Sequence, residues 1–324
     1  NRKELLIECL EALRRQTRPL DAIYIIDNAS TDGTPQLLQE KGYIEDLESG
    51  ISRINNLNDG RPMKVVYVRM KENTGGAGGF HEGVKRAYND GYDWLWLMDD
   101  DAEPEDDALE MLLSHATEEL AAACSTVLDK HGNINVNHRG KANLENIFPM
   151  IQVPIEETLY YKKEVLDIDT ASFVGILINS DKIRKVRFPR KEFFIHHDDI
   201  EYSLRLKREG KIVLVTGSII WHKESSKSKL INRTFLVKTS HRIPFEILWI
   251  NYYGIRNLTY LGRIYSTRKL KFYTSLIRDF LLRISGIILF DDKKYKRIKF
   301  TVNAYIDGIR GNFDNEKPRR ILYG

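Results

Sequence analysis

The sequence predicts an α/β fold, a mostly parallel sheet flanked by helices, followed by a basic helical region. Two observations predict it. Strand, polar loop and helix recur in that order three times between residues 22 and 115, each apolar run stopping on acidic or polar residues. The charge then changes sign: residues 1–222 carry 28 Lys and Arg against 38 Asp and Glu, whereas residues 223–324 carry 22 against 8. A shift of that size marks a boundary after "IIWHKESSKSK".

The elements follow in order. "RKELLIECLEALRRQ" is an amphipathic helix with Leu5, Leu6, Cys9, Leu10 and Leu13 on one side. A fold of this kind opens on a strand, so a native strand is expected ahead of Asn1. "AIYII", Ala22 to Ile26, is a buried-type strand ending at Asp27 in "DNASTDGT", after which Thr34 and Pro35 read as a helix cap and first helical residue. "KVVYV", Lys64 to Val68, leads into "KENTGGAGGFHEGVKRAY", a glycine loop opening a helix. "WLWLM", Trp94 to Met98, runs into Asp99, Asp100 and Asp101, then Pro104 and a helix to about His115.

Right-handed crossovers would place all three loops at the carboxyl edge of one sheet, where ligands bind in open α/β folds. Asp27, Asn73 and the three aspartates should therefore converge. At 324 residues with 42% hydrophobic content the chain can bury a sizeable core. Cys9 and Cys124 read as buried free thiols, which favours a reducing compartment and a cytoplasmic location. The apolar stretch "FLLRISGIILF" contains Arg283 and is too short to span a bilayer.

Three adjacent carboxylates repel one another unless a cation sits among them, and hard divalent ions such as Mg²⁺ or Mn²⁺ take oxygen ligands of this type. Mg²⁺ shares its shell with substrate phosphates, so the implied ligand is a nucleoside diphosphate. The competing reading is an acidic helix start complementing the helix dipole, which suits Asp106 and Asp107. "NTGGAGG" fits neither the dinucleotide fingerprint nor the phosphate loop, although its glycines permit close backbone approach and the following helix offers N–H groups to an anion. In "FFIHHDDIEYSLRLKREG" the helix formers and the KREG ending predict a helix capped by Asp198, with Asp199 and Glu201 in its first turn.

"DNASTDGT", "NTGGAGGFHEGV", "WLWLMDDDAEP", "HHDDIEYSLRLKREG" and a later "WH", in that order, resemble the inverting family-2 glycosyltransferases with the GT-A (Rossmann-like) fold. "GGAGGF" and "NYYGIRN" are similar to the galactofuranosyl- and rhamnosyltransferase branch. The resemblance implies that Asp27 contacts the nucleotide base and Asp32 lies near the nucleoside. It implies that Asn73 and the loop of Gly75, Gly76, Gly78 and Gly79 hold the donor, with Asp100 beside them. Asp99 and Asp101 would bind the metal, with His222 completing its shell. Of the paired acids, Asp199 would be the catalytic base and Asp198 its neighbour at the donor. On this reading residues 1–222 are the nucleotide-sugar-binding catalytic domain, using a UDP- or dTDP-sugar and Mn²⁺ or Mg²⁺.

The basic part, "IPFEILWINYYGIRNLTYLGRIYSTRKLKFYTSLIRDFLLRISGIILF", mixes aromatic, aliphatic and cationic residues at helical spacing. That suits an anionic membrane surface, and residues 223–324 are read as membrane-associating, peripheral at the inner face of the cell membrane, serving a lipid-linked or polysaccharide acceptor. Nucleic acid is ranked below, since the cations lie among bulky aliphatic residues and no nucleic-acid motif is present. A homo-oligomer surface is the bland alternative. Two rival functions are a sugar-phosphate nucleotidyltransferase and a non-catalytic membrane adaptor.

Overall fold

The computed structural model describes residues 1–223 and 230–324. The expected boundary sequence runs into 224–229 and lies partly outside the described residues. Two compact units emerge, one from 1–141, 154–191 and 199–225, the other from 142–153, 192–198 and 226–324.

In the first unit, α1 (Lys3–Arg14) buries Cys9, Leu10 and Leu13. β1 (Ala22–Asp27) alternates, burying Ile23, Ile25 and Asp27. α2 (Thr34–Glu40) follows Gly33, whose φ of +84° is tolerated because glycine has no Cβ. Thr34 is thus the first helical residue and not the cap. β2 (Gly50–Asn55) and β3 (Pro62–Arg69) complete a three-stranded sheet of order β1-β3-β2. β1 and β3 run parallel, β2 antiparallel. Leu10, Leu13, Ile23, Ile25, Leu38, Val65 and Tyr67 share one core cluster, so α1 and α2 cover the same face of this sheet.

α3 (Gly75–Asn89) leads to β4 (Trp94–Leu97), β5 (Ala102–Pro104), α4 (Ala108–Ser114) and β6 (Leu120–Asp129). Next come β7 (Arg139–Ala142), β8 (Gln152–Pro154), α5 (Glu157–Tyr160), β9 (Val165–Ile168), β10 (Thr170–Ala171), β11 (Ile176–Asn179), α6 (Ser180–Val186), α7 (Asp198–Leu206) and β12 (Lys211–His222). A second sheet has the order β4-β11-β6-β12-β5, with β9 also paired to β12. β6, "LAAACSTVLD", is buried over its first eight residues, as a central strand covered on both faces must be.

The expectation of a mostly parallel sheet is corrected here: both sheets are mixed. In the second only β6 and β12 run parallel, and β11 lies antiparallel between β4 and β6. Parallel neighbours need a crossover element. The tri-aspartate segment instead turns the chain within four residues, so β5 runs back antiparallel to β12. β4 therefore belongs to a different sheet from β1 and β3.

In the second unit residues 230–324 begin with a hairpin, β13 (Ile231–Phe235) and β14 (Lys238–Arg242), where only helix was expected. Four helices follow: α8 (Trp249–Tyr265), α9 (Lys269–Phe290), α10 (Lys294–Arg310) and α11 (Lys317–Tyr323). Asp307 of α10 accepts hydrogen bonds from Tyr252 of α8 at 2.5 Å and Lys317 of α11 at 2.8 Å, a buried carboxylate joining three helices. α9 is the least covered: in 22 residues only Phe272, Leu276 and Ile287 are buried. Among the described residues no helix is long and apolar enough to cross a membrane.

Candidate active site

Strand register assembles the acidic centre. β5 pairs with the end of β12 so that His222 stands opposite Ala102, the residue after Asp101. The backbone N–H of Lys223 donates to Asp101 O at 3.1 Å and locks the pairing. Residues more than 120 positions apart thus meet: His222 Nε2 lies 3.2 Å from Asp101 Oδ1 and 3.9 Å from Asp99 Oδ2. One ligand atom from each of Asp99, Asp101 and His222 falls within 4.8 Å of the others.

The group is strongly acidic and largely withdrawn from solvent at Asp101. Asp101 has a fully buried carboxylate, and neither oxygen has a hydrogen-bond partner of proper geometry. Arg2 Nη1 approaches it at 3.0 Å and Asp100 at 3.2 Å. Burial works against its charge, but His222 and Arg2 prevail and hold it below the usual carboxylate range. Burial and the neighbouring Asp101 push Asp99 up. The His222 imidazole is disfavoured as a cation by burial, yet Asp101 and Asp99 raise it above its ordinary value. Two carboxylates, one of them fully buried, and an imidazole match the donors that Mn²⁺ or Mg²⁺ accepts.

The loops after β1 and β3 meet as well. Asn28 Nδ2 donates to Asn73 Oδ1 at 3.2 Å and to Gly75 O at 2.9 Å, and its Oδ1 accepts from Thr74 N at 2.9 Å. The start of α1 bridges to the acidic centre, because Lys3 N donates to Asp32 Oδ2 while Arg2 reaches Asp100 and Asp101. Asp32 also accepts from Thr34 N, so it satisfies orphan N–H groups of two helix starts; these bonds outweigh burial and lower its carboxyl. Asp27 is buried, with Oδ1 accepting from Ser30 N and Oδ2 from Tyr67 Oη, both at 2.7 Å.

The glycine segment departs from expectation, because the helix begins at Gly75 and the other glycines lie in its first turns. They are not equivalent. A Cβ at Gly78 would lie 2.1 Å from Thr74 Oγ1, whereas at Gly76 or Gly79 it would meet nothing within 4 Å. Gly78→Ala should therefore displace Thr74 from Asn28 and cost about 1–3 kcal/mol, read as a lowered Tm. Gly76→Ala and Gly79→Ala should leave Tm within a degree or two. If Gly78→Ala melts like the wild type, the Asn28–Thr74 junction is not what this glycine protects.

Asp198 and Asp199 begin α7. Asp198 is buried; Asp199 is partly exposed, and its Oδ1 accepts from Ile200 N at 2.7 Å. Burial pushes the Asp199 carboxyl up to about 6 against the opposing influence of two backbone N–H groups and the Arg139 guanidinium.

Two residues that sequence reasoning missed connect these centres. Arg139 is fully buried and donates to the carbonyls of Ser125, His138 and Val174. Its neighbour His138 packs edge to face against His222, centroids 5.2 Å apart, and its Nδ1 is 2.7 Å from Ser172 Oγ. Burial and the charge of Arg139 push His138 down to about 3, so it meets His222 as a neutral ring. Nothing in "NINVNHRGKAN" signals this, since the partners come from distant strands.

Residues 1–187 match the sequence family described as glycosyl transferase family 2. The chain belongs to that family. This glycosyltransferase is 28% identical to galactofuranosyltransferase GlfT1 of Mycolicibacterium smegmatis over 224 residues, 64% of this chain and 63% of the relative. It is 26% identical to GlfT1 of Mycobacterium tuberculosis over 221 residues, 64% and 62% of the two chains. The match spans less than two-thirds of each relative's length. Its fold is similar to that of S. aureus TarS 1–349 in complex with UDP, with a TM-score of 0.53, 11% identity and coverage of 99% and 80% of the two chains. It is also similar to GalNAc-T7 with UDP, GalNAc and Mn²⁺, with a TM-score of 0.56, 11% identity and coverage of 97% and 55%. At these identities the structures establish a shared GT-A-like fold for the glycosyltransferase.

Proposed function

We propose that the chain catalyses metal-dependent, inverting transfer of galactofuranose, or next rhamnose, from a UDP- or dTDP-sugar to a hydroxyl of a lipid-linked or polysaccharide acceptor. The observation that carries this reading is the Asp99, Asp101 and His222 group with its buried carboxylate, whose oxygens lack a well-aligned hydrogen bond. Those three residues would hold Mn²⁺ or Mg²⁺, and the ion when bound supplies charge neutralisation for the departing diphosphate. The similarity to GlfT1 favours galactofuranose, and the UDP bound by both structural neighbours favours UDP.

Asp199 takes the proton in this scheme. As the acceptor hydroxyl oxygen bonds to the anomeric carbon, the bond from that carbon to the diphosphate oxygen breaks, and the hydroxyl proton passes to the Asp199 carboxylate. Asp198, expected as the cap, is instead the first helical residue of α7 and lies beside it in sequence. Asn28 and Asn73 hold the two donor loops in register, with Asp27 and Asp32 fixing the turn between β1 and α2. A donor panel tests the assignment: UDP-galactofuranose with Mn²⁺ and an alkyl galactofuranoside should release UDP fastest. Release from dTDP-rhamnose alone would reassign the donor, and pyrophosphate exchange would overturn transfer.

The basic region would hold the enzyme peripherally on an anionic membrane at its cytoplasmic face. On α9, Leu270, Tyr273, Ile277, Leu281 and Ile288 are exposed at three- to four-residue and seven-residue spacing, flanked by exposed Lys269, Lys271 and Arg278. Ile277→Asp combined with Leu281→Asp should lower binding to phosphatidylserine vesicles at least about tenfold, each buried apolar side chain being worth about 1.5–3 kcal/mol. Wild-type binding should also weaken with salt. Equal binding by variant and wild type would place the lipid-facing surface elsewhere.

A further inference from the structure

The motif "NYYGIRN" on α8 has no part in the chemistry above, yet it holds two of the most deeply buried polar side chains, Arg256 and Asn257, both 0% exposed. Neither reaches outward. Asn257 Nδ2 lies within hydrogen-bonding distance of three carbonyl oxygens in one short stretch, Phe193 at 3.0 Å, Ile195 at 3.1 Å and His196 at 2.8 Å. Arg256 Nη2 donates to Glu192 O at 3.2 Å and Phe193 O at 3.1 Å, and its Nη1 to Asn315 Oδ1 at 2.9 Å. Arg256 Nε donates to Asn257 Oδ1 at 2.9 Å, which fixes the amide with its NH₂ facing the carbonyls.

The segment so held is in a conformation that it would not keep by itself. Phe194, His196 and His197 have φ of +66°, +69° and +65°, the left-handed region that side chains with a Cβ rarely adopt. Aromatic packing braces it further: Phe194 stacks on Tyr253 at 4.8 Å, Phe193 stacks on Phe313 at 5.5 Å, and the Arg256 guanidinium lies 4.8 Å from the Phe313 ring centre. Arg256 carries its charge at a cost, since burial pushes it down to about 10. A buried cation spent on backbone carbonyls is an expensive way to gain stability and an effective way to specify one loop conformation. The strained stretch runs directly into Asp198 and Asp199.

We infer that Arg256 and Asn257 are positioning residues that clamp segment 192–197 in its left-handed conformation and thereby set the backbone from which the paired acids project. The inference rests on reading Asp199 as the base. Strained backbone persists where surrounding structure over-determines it, and such places cluster where geometry matters for function.

The test uses the full chain with Asn257→Leu, which keeps the branched outline and removes the donor, and Arg256→Lys, which keeps charge and removes the planar fork. UDP release from UDP-galactofuranose with an alkyl galactofuranoside should show kcat lowered about 10- to 100-fold, the effect expected of a misplacement on the ångström scale. KM for the donor should stay within about twofold, and Asn257→Gln should recover part of the rate. Hydrogen exchange should quicken in peptides covering 193–199 and stay slow in β6. Wild-type kcat in both variants overturns the clamp. So does a joint loss of kcat, donor affinity and exchange protection across the chain, which is plain destabilisation. Should Asn257→Leu fail to fold, Asn315→Ala removes only the Nη1 partner and is read in the same way. Asp199→Asn measured alongside separates the two ideas: wild-type turnover there with slow clamp variants overturns the base assignment, and the reverse pattern overturns the clamp alone.

Discussion

Asp101→Asn should abolish Mn²⁺-dependent UDP binding and lower kcat/KM by at least about 10²-fold, the scale expected when several kcal/mol of metal stabilisation is withdrawn. The substitution keeps the shape of the side chain and removes its charge. In the wild type both Asp101 oxygens are buried without a proper hydrogen bond, facing Arg2 and His222. Calorimetry with UDP and Mn²⁺ reads the loss directly, and melting gives a second view. A ligand that binds only the folded state raises Tm, so Mn²⁺ with UDP should stabilise the wild type and leave the variant unmoved. Far-ultraviolet circular dichroism should stay native, because the β5–β12 pairing is made by backbone groups. Tight binding of UDP with Mn²⁺ by Asp101→Asn would move the metal away from this group.

Asp199→Asn should lower turnover by about 10² to 10⁴, the usual contribution of a general base, with donor affinity little changed. The pH profile gives the assignment a sign. A base works ionised, and the Asp199 carboxyl is pushed up to about 6 by burial. Wild-type kcat/KM should therefore fall as pH drops through about 6, and the residual activity of Asp199→Asn should lack that limb. Stability should move the other way. A carboxyl whose folded value lies above its unfolded one favours folding fully below the unfolded value, near pH 4, and loses that contribution as pH rises through the folded value. At pH 8 the ionised group costs on the order of 2 kcal/mol, so Asp199→Asn should melt a few degrees higher there and equally at pH 4. Asp198→Asn should cost little, since it keeps the shape of the side chain at the first helical position of α7. Normal turnover in Asp199→Asn beside an inactive Asp198→Asn would reverse the two roles.

Much of this protein is local and was legible as such. The strand ending at Asp27, the strand just before the three aspartates, the helix at the glycines and the helix carrying the paired acids were readable from hydrophobic period and end signals. These depend on neighbours in sequence, as do the ordered motifs that pointed to glycosyl transferase family 2. Boundaries moved by small amounts: the cap before Thr34 is Gly33, and α3 starts one turn earlier than the glycine loop suggested.

Sheet topology was not legible, because alternating strand and helix signals do not say which strands become neighbours, and the second sheet took β11 between β4 and β6 in antiparallel sense. The same dependence on pairing governs the site. Asp99 and Asp101 announce an acidic turn, but His222 joins them only because β12 pairs with β5 in one register, and a slip of one residue would turn its side chain to the other face. His138 and Arg139 gave no usable signal, and "NYYGIRN" marked Arg256 and Asn257 without their partners, since a buried polar side chain is defined by carbonyls from remote segments. Sequence alone determined which side chains could do chemistry, through local periodicity and residue type. Only tertiary structure decided which of them meet, because long-range backbone pairing and the satisfaction of buried polar groups belong to the folded chain as a whole.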